Sequence, residues 1–240
     1  MKLDNFFVSG ANEEAVAMAE AVLNNVKAYS PVLIYAKPGR GKTHLLHEIQ
    51  DKCKSALAGQ KVAFTTGRQF LEEVDRTIRL GAKPNQIKIY DDVDILLIDD
   101  LEEIFGNREA EQVFTNLFLS SMNEKKKQIL CTSSVLAKEC GSKEMIRFFD
   151  RACMVQLYAP DEQLKQSIVE KMAQQFMLNL NEEAKRYIIA QPFSSINQIL
   201  GDMTKLAALV EENQQVDQQL CQKYHIGQNR YCLLYTSDAA

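Results

Sequence analysis

Short apolar runs alternate, along the first two thirds of the chain, with longer segments in which apolar residues recur at helical spacing. Segments 44–57, 68–80 and 108–122 have the second pattern, which is typical of amphipathic helices. The apolar runs are 31–35, 61–65, 95–98, 127–132 and 154–158. Short apolar strands that alternate with helices indicate a parallel sheet covered on both faces. We therefore predict an α/β core with five parallel strands.

The pattern changes after Pro160. From Asp161 to about Val210 the periodicity is helical throughout, which predicts a small helical domain packed beside the sheet. The expected domains are an α/β core at 1–159, a helical domain at 160–215 and a tail at 216–240. The C-terminal CLLYTSDAA resembles the translated adapter sequence at the end of some metagenome-derived reading frames, so we exclude about the last ten residues from the fold prediction. On this interpretation the natural protein could extend further.

Composition narrows the class of protein. A chain of 240 residues that is 46% hydrophobic can bury the core of one α/β domain and a small satellite. It has no apolar run of membrane-helix length and no signal-peptide pattern at its start, so we expect a cytosolic protein without membrane contact. Six cysteines without a C-x-x-C pair give no sign of a disulfide framework or a zinc site. The net charge of -4 argues against a globally basic nucleic-acid binder, so any DNA contact needs a local patch.

The segment AKPGRGKT follows the first predicted strand and precedes a helix. Such a loop points backbone N–H groups at one spot, and the helix N-terminus adds partial positive charge, which together hold phosphate oxygens. Gly39 and Gly41 let the backbone approach, Lys42 would reach the β- and γ-phosphates, and the Thr43 hydroxyl would bind Mg²⁺. Ala36 replaces the first glycine of G-x-x-x-x-G-K-[ST], which is tolerable if its φ is negative. The residues predicted to hold the nucleotide are Ala36, Lys37, Pro38, Gly39, Arg40, Gly41, Lys42, Thr43 and His44.

A second motif, DILLIDD, places two acidic residues at the C-terminal end of a buried strand, where open parallel sheets bind their ligands. We predict that Asp99 holds Mg²⁺ and that Asp100 orients an attacking water, as phosphoryl transfer requires. The alternatives are a chance G-K-T before a helix and an Asp100 that only caps a helix. The two motifs together favour a nucleotide site.

The segments LIYAKPGRGKTHLLHEI, VDILLIDDLEEIF and QILCTSS resemble the AAA+ module of the DnaA chromosomal replication initiator family. The similarity covers about residues 2–215 and implies a P-loop core with a helical lid that binds ATP or ADP with Mg²⁺. In the family, the stretch ahead of the phosphate loop lies near the adenine. Phe6, Phe7 and Val8 are therefore candidates for the base pocket, although buried packing explains these residues equally well.

The sequence departs from the family at three positions. Ala36 stands at the first loop glycine, Ser134 at the sensor 1 aspartate and Asn197 at the sensor 2 arginine of the lid. An uncharged Asn cannot replace a guanidinium group at a phosphate, whereas Ser134 can still hydrogen-bond a water or a phosphate oxygen. The resemblance with these departures implies nucleotide binding and slow hydrolysis.

The segment RFFDRAC at 147–153 stands where AAA+ proteins often carry an arginine finger. Arg151 is the preferred finger and Arg147 the second choice. Because a finger acts on the nucleotide of a neighbouring subunit, it implies assembly with copies of the chain or with another AAA+ initiator. The alternative is a surface salt bridge from Arg151 to Asp150 or Asp161.

The segment RTIRLGAKPNQIK, at 76–88, stands where the initiator family inserts helices that meet single-stranded DNA. A solvated helix face explains its basic residues at least as well. These residues are Arg76, Arg79, Lys83 and Lys88. His44 and His47 have no partner at metal-ligand spacing and are interpreted as packing residues.

The resemblance implies an ATP-binding, DnaA-like protein that acts in initiation or regulation of DNA replication. A non-catalytic regulator that docks on an initiator or a sliding clamp is one alternative, and a helicase-loading ATPase is another. No segment of the sequence corresponds to the family's domain that reads duplex DNA, so sequence-specific duplex binding is not expected of the residues in hand.

Overall fold

The computed structural model describes residues 3, 6–24, 30–56, 59–124, 127–136, 142–211 and 213–228. The chain forms two compact units, Met1–Tyr158 and Ala159–Ala240. In the described residues, no helix is long and apolar enough to cross a membrane.

The first unit is built on a five-stranded sheet in which every neighbouring pair of strands is parallel. The strands are β1 Val32–Tyr35, β2 Val62–Thr66, β3 Ile95–Asp99, β4 Gln128–Ser133 and β5 Cys153–Gln156. Their order is β2-β3-β4-β1-β5, with β1, β3 and β4 inside the sheet. The predicted parallel α/β sheet is confirmed.

Among the described residues of the first unit, helices and two short 3₁₀ segments precede or connect the strands. The helices are α1 Glu13–Leu23, α2 Lys42–Ala56, α3 Gly67–Arg79, α4 Arg108–Glu124 and α5 Lys143–Arg151. The 3₁₀ segments are Pro84–Gln86 and Leu101–Ile104. The capping box between Thr66 and Gln69 fixes the start of α3, because each side chain accepts from the backbone of the other residue.

The sheet separates two apolar cores. On one face α1 and α2 cover Val32 and Ile34 of β1, and on the other face α3, α4 and α5 cover Leu33. The second core centres on Phe114 and Phe148, whose rings meet edge to face with centroids 4.9 Å apart. Burial on both faces explains why these strands read as continuous apolar runs.

Strand register brings three strand ends together at one edge of the sheet. Tyr35, the last residue of β1, lies opposite Ser133, the last residue of β4. On the other side of β4, Cys131 lies opposite Ile98 of β3. The loops that follow β1, β3 and β4 therefore begin side by side, as expected for a ligand site in a parallel sheet.

The second unit contains the helices α6 Glu162–Gln175, α7 Glu182–Ile189, α8 Ile196–Leu209 and α9 Gln218–Lys223. Each helix begins at a side-chain cap, and the capping residues are Asp161, Asn181, Ser195 and Asp217.

The second unit differs from the helical prediction in two respects. The two-residue strands β6 Asn179–Leu180 and β7 Gln215–Val216 pair in parallel. Residues 216–228, predicted as a tail, include α9 and carry the fully buried Cys221 and Ile226. Two-residue strands and a helix of six residues are too short to produce a recognisable period, so the sequence pattern missed them. The adapter-like last residues lie outside the described part of the chain.

Candidate nucleotide-binding site

The loop between β1 and α2 has the backbone conformation that its glycines permit. Gly39 and Gly41 have φ values of 75° and 93°, a region that L-residues rarely adopt. Ala36 is not among the described residues with positive φ, and its N–H donates to the Ser133 carbonyl at 3.0 Å. Ala36 thus continues the sheet hydrogen bonding instead of starting the turn. A methyl side chain is compatible with this position, and the glycines that the turn requires are both present.

Lys42 is the first residue of α2 and is only 7% exposed. Its Nζ donates to the Ala36 carbonyl at 3.0 Å, so the ammonium lies across the mouth of the loop. The loop's single buried ammonium and the N-terminus of α2 place positive charge at one point. Thr43, next on the helix, is exposed and presents its hydroxyl at the same end.

The segment ahead of the loop is fixed against α2 by a ring contact and by backbone bonds. Phe6 is buried and stacks on the exposed His44 ring, with centroids 5.4 Å apart. The Asn12 side chain donates to the Phe7 carbonyl at 2.8 Å. Phe7 and Val8 are 37% and 47% exposed. Phe6 therefore fits the packing interpretation, whereas Phe7 and Val8 leave surface that a base can cover.

Arg40 extends from the loop toward the end of β5. Its Nη1 lies 3.5 Å from the Leu157 carbonyl, at the outer limit of a hydrogen bond. Its Nε is buried and has no hydrogen-bond partner in the described part of the chain. The arginine thus adds a second cation beside the phosphate loop.

At the end of β3, two carboxylates leave the sheet with different surroundings. Asp99 is 3% exposed, and its Oδ1 accepts a hydrogen bond of 2.5 Å from the Thr132 hydroxyl of β4. Asp100 has φ 49°, and its N–H donates to the same Thr132 oxygen at 2.8 Å. Its side chain makes no capping bond to the 3₁₀ segment that follows, so the helix-cap alternative fails. The Thr132 hydroxyl therefore holds the side chain of Asp99 and the backbone of Asp100 in place.

The pKa of Asp100 is raised above its ordinary value. Burial is the largest cause, followed by the negative charges of Asp99 and Glu102, and a smaller contribution comes from Glu103. Lys42 acts in the opposite direction, which shows that the lysine of the loop and the carboxylate of β3 lie within electrostatic reach of each other. The two motifs are therefore close enough for their charges to interact.

Comparison with known proteins identifies the family of the chain. The family model "Bacterial DnaA ATPase domain" matches residues 1–147, which is more than half of the chain. The chain belongs to the bacterial DnaA ATPase domain family. The DnaA chromosomal replication initiator of Lachnoclostridium phytofermentans is 31% identical over 211 residues, which are 86% of this chain and 46% of that protein. The chain thus spans about half the length of the curated relatives it matches.

Solved DnaA structures have the same fold. Domain III of Thermotoga maritima DnaA superposes with a TM-score of 0.81 at 24% identity, over 95% of this chain and 97% of that one. A DnaA structure with bound AMPPCP and single-stranded DNA superposes with a TM-score of 0.75 at 25% identity, over 87% of this chain and 64% of that one. Similarity at this level supports the AAA+ core and lid as the architecture of the chain.

The DnaA sensor 1 position has an unexpected partner here. Ser134 follows β4, and both its N–H, at 3.0 Å, and its hydroxyl donate to Glu102 Oε1. The Ser134 hydroxyl, which we predicted to hydrogen-bond a water or a phosphate oxygen, therefore already donates its proton to Glu102. Its oxygen can still accept a hydrogen bond. Glu102 and Thr132 were not predicted from the sequence. Their signals are one of the two acidic residues in LEEIF and the one threonine in QILCTSS, and neither motif shows which residue each side chain contacts.

The two arginine-finger candidates lie one turn apart on α5, and both are exposed. Within the described residues, Arg151 makes no ion pair with Asp150, and Asp161 caps α6 by accepting from the Leu164 N–H at 2.8 Å. The first salt-bridge alternative is therefore not formed. Arg147 and Arg151 thus expose their side chains at the surface of the first unit.

Asn197, which we predict to stand at the sensor 2 position, is exposed in the first turn of α8. It lines a cleft of about 500 Å³ within the second unit, together with Asp202 and Lys205. An amide at this point offers hydrogen bonds and no charge.

The basic residues of segment 76–88 are all exposed. Their exposure is compatible with both alternatives for that segment, a solvated helix face and a nucleic-acid surface. Arg76 lies 3.9 Å from Glu73, a surface pair. Leu80, between the basic residues, is 83% exposed.

His47 stacks on Phe64 with centroids 4.6 Å apart, as its packing interpretation requires. No group of three or more metal-binding side chains occurs in the described residues.

Proposed function

We propose that the chain is an ATP-binding AAA+ module of a DnaA-type protein that acts in initiation or regulation of DNA replication in the cytoplasm. The observation that carries this proposal is the convergence of Lys42 with Asp99 and Asp100 at the edge where β1 and β3 end. The related DnaA structure with bound AMPPCP, an ATP analogue, supports it.

ATP binding follows from the groups around the loop. The backbone N–H groups of residue 37 and of residues 39–43, with the Lys42 ammonium, would bind phosphate oxygens, while Phe7 and Val8 offer apolar surface to the adenine. Oxygen ligands suit Mg²⁺, and the Thr43 hydroxyl with the Asp99 carboxylate would hold it, directly or through water. When bound, Mg²⁺ neutralises charge on the phosphates.

Slow hydrolysis is the expected reaction. The oxygen of a water forms a bond to the γ-phosphorus as the bond from that phosphorus to the bridging oxygen breaks, which yields ADP and inorganic phosphate. Asp100 takes the proton of the water. Its raised pKa makes it a stronger base than an ordinary aspartate. The uncharged Asn197 in the lid removes one source of stabilisation, so turnover is slow.

Assembly is the expected output of ATP binding. Arg151 would complete the ATP site of a neighbouring copy or of another AAA+ initiator, and the exposed basic segment would contact single-stranded DNA. A related DnaA is known with single-stranded DNA bound.

A regulator that binds nucleotide without turnover is the second candidate. Asn197 and the engaged proton of Ser134 favour it, because both positions lack the charged group of the family. Such a regulator would dock on an initiator or on a sliding clamp, and a helicase loader would use the same core. Measured turnover separates a catalytic module from the regulator.

Binding of Mg²⁺-ATP by the full chain tests the main proposal. Lys42→Ala removes the buried ammonium of the loop and is expected to abolish binding measured by calorimetry. Lys54→Ala, an exposed lysine near the end of the same helix, is the matched control and should bind like wild type. Near wild-type affinity in Lys42→Ala would show that the loop is not a phosphate site.

A further inference from the structure

Glu102 brings a carboxylate to the end of β4 from the 3₁₀ segment that follows Asp100. Its Oε1 accepts both hydrogen bonds of Ser134, one from the backbone and one from the hydroxyl. Its Oε2 is buried and has no hydrogen-bond partner in the described residues. A buried carboxylate oxygen without a donor is costly, so the position indicates a donor supplied from outside these side chains.

The free oxygen lies among the groups of the nucleotide site. Ser134 directly follows Ser133, whose carbonyl accepts the N–H of Ala36, the first residue of the phosphate loop. Glu102 is two residues after Asp100 and is close enough for its charge to act on that carboxyl group. Glu102 is therefore connected to the residue proposed as base through its charge, and to the strand end beside the loop through Ser134.

Charge and hydrogen-bonding capacity identify which ligand can donate a hydrogen bond to Oε2 of Glu102. The site binds an anion, so a phosphate oxygen next to an ionised carboxylate is repelled. A water molecule can donate to Oε2 and to Asp100 at the same time, which leaves an oxygen lone pair for attack. Water is thus the ligand that fits both carboxylates.

We propose that Glu102 supplies the carboxylate that the DnaA family places at residue 134, and that its Oε2 accepts a hydrogen bond from the water that attacks ATP. The inference rests on the proposed function. One proton of the water goes to Asp100 as the oxygen bonds to the γ-phosphorus and the bond to the ADP oxygen breaks. The other proton stays on the oxygen and donates to Oε2 of Glu102.

Glu102→Gln is the direct test. The amide keeps an oxygen for the Ser134 donors, and its NH₂ group cannot accept from water. We expect turnover to fall at least about ten-fold, because the attacking water loses the hydrogen bond that orients it for proton transfer to Asp100. ATP affinity should stay near wild type. The control is Glu109→Gln, an exposed carboxylate in the first turn of α4, which should keep wild-type turnover.

A second variant, which restores a carboxylate at residue 134, separates a water-positioning role of Glu102 from a structural one. The double variant Glu102→Gln with Ser134→Asp puts the carboxylate at the end of β4, and we expect it to recover most of the lost turnover.

The outcomes distinguish this inference from the proposed function. A wild-type chain that does not bind ATP overturns both. A chain that binds ATP without turnover, or whose turnover is unchanged in Glu102→Gln, overturns the inference and leaves ATP binding intact. A Glu102→Gln variant that loses stability in urea as well as turnover, without recovery in the double variant, also overturns it.

Discussion

The Thr132 hydroxyl donates to Asp99 Oδ1 at 2.5 Å, across the pair of strands β3 and β4. The same oxygen accepts the Asp100 N–H, so one fully buried side chain orients the carboxylate proposed for Mg²⁺ and fixes the left-handed turn at the carboxylate proposed as base. A hydroxyl is needed there because it can donate and accept simultaneously.

Replacing this hydroxyl is expected to affect both stability and metal-dependent binding. Thr132→Val keeps the shape but leaves the Asp99 oxygen and the Asp100 N–H without their partner, so the free energy of unfolding should fall by about 1–3 kcal/mol. The dependence of ATP affinity on Mg²⁺ should weaken as well. Thr132→Ser retains the hydroxyl and serves as the control. Equal urea stability of the two variants would contradict this role of the hydroxyl.

The two aspartates are expected to separate binding from turnover. Asp99→Asn should reduce the part of ATP affinity that depends on Mg²⁺, whereas Asp100→Asn should mainly lower turnover. Because Asp100 must be ionised to accept a proton, wild-type turnover should fall as the pH drops through its raised pKa, at a higher pH than for an ordinary aspartate. Calorimetry with and without Mg²⁺ and a pH profile of phosphate release measure these effects. Equal loss of Mg²⁺ dependence in both variants would contradict the division of roles.

The sheet and the phosphate loop could be predicted from the sequence because their signals are local. Strands buried on both faces read as apolar runs, and the conformations of Gly39 and Gly41 are a property of single residues. The bonds of Thr132 to Asp99 and of Glu102 to Ser134 join residues more than 30 positions apart, and no sequence spacing encodes them. The pairing of β6 with β7 was missed because strands of two residues are too short to show a period.

Adding the missing lid charge is expected to strengthen the ATP site. Asn197→Arg places a guanidinium where the DnaA family has one, and charge-assisted hydrogen bonds to the γ-phosphate contribute roughly 1.5–3 kcal/mol, or about ten-fold or more in affinity. Either ATP affinity or turnover should rise. Asn197→Gln, which lengthens the side chain without charge, is the control. If neither quantity changes relative to Asn197→Gln, the lid does not place residue 197 at the phosphates.

Arg151, at the exposed C-terminal end of α5, is the residue that we propose links ATP binding to assembly. A finger contacts the ATP of its neighbour, so Arg151→Ala should leave ATP binding by the isolated chain intact and eliminate ATP-dependent self-association or stimulation of a partner. At a subunit junction the arginine meets a desolvated γ-phosphate whose charge is otherwise uncompensated, whereas it contributes nothing to the pocket of its own chain.

Sedimentation with a non-hydrolysable ATP analogue, with and without single-stranded DNA, measures this separation of binding from assembly. Lys143→Ala, an exposed basic residue at the other end of α5, is the matched control and should assemble like wild type. Arg147→Ala tests the second finger candidate, one turn earlier on the helix. Loss of assembly in Arg147→Ala but not in Arg151→Ala would transfer the role to Arg147. A wild-type chain that stays monomeric with ATP analogue, DNA and a partner initiator would rule out a finger on this helix, because neither arginine would then have a neighbouring phosphate to neutralise.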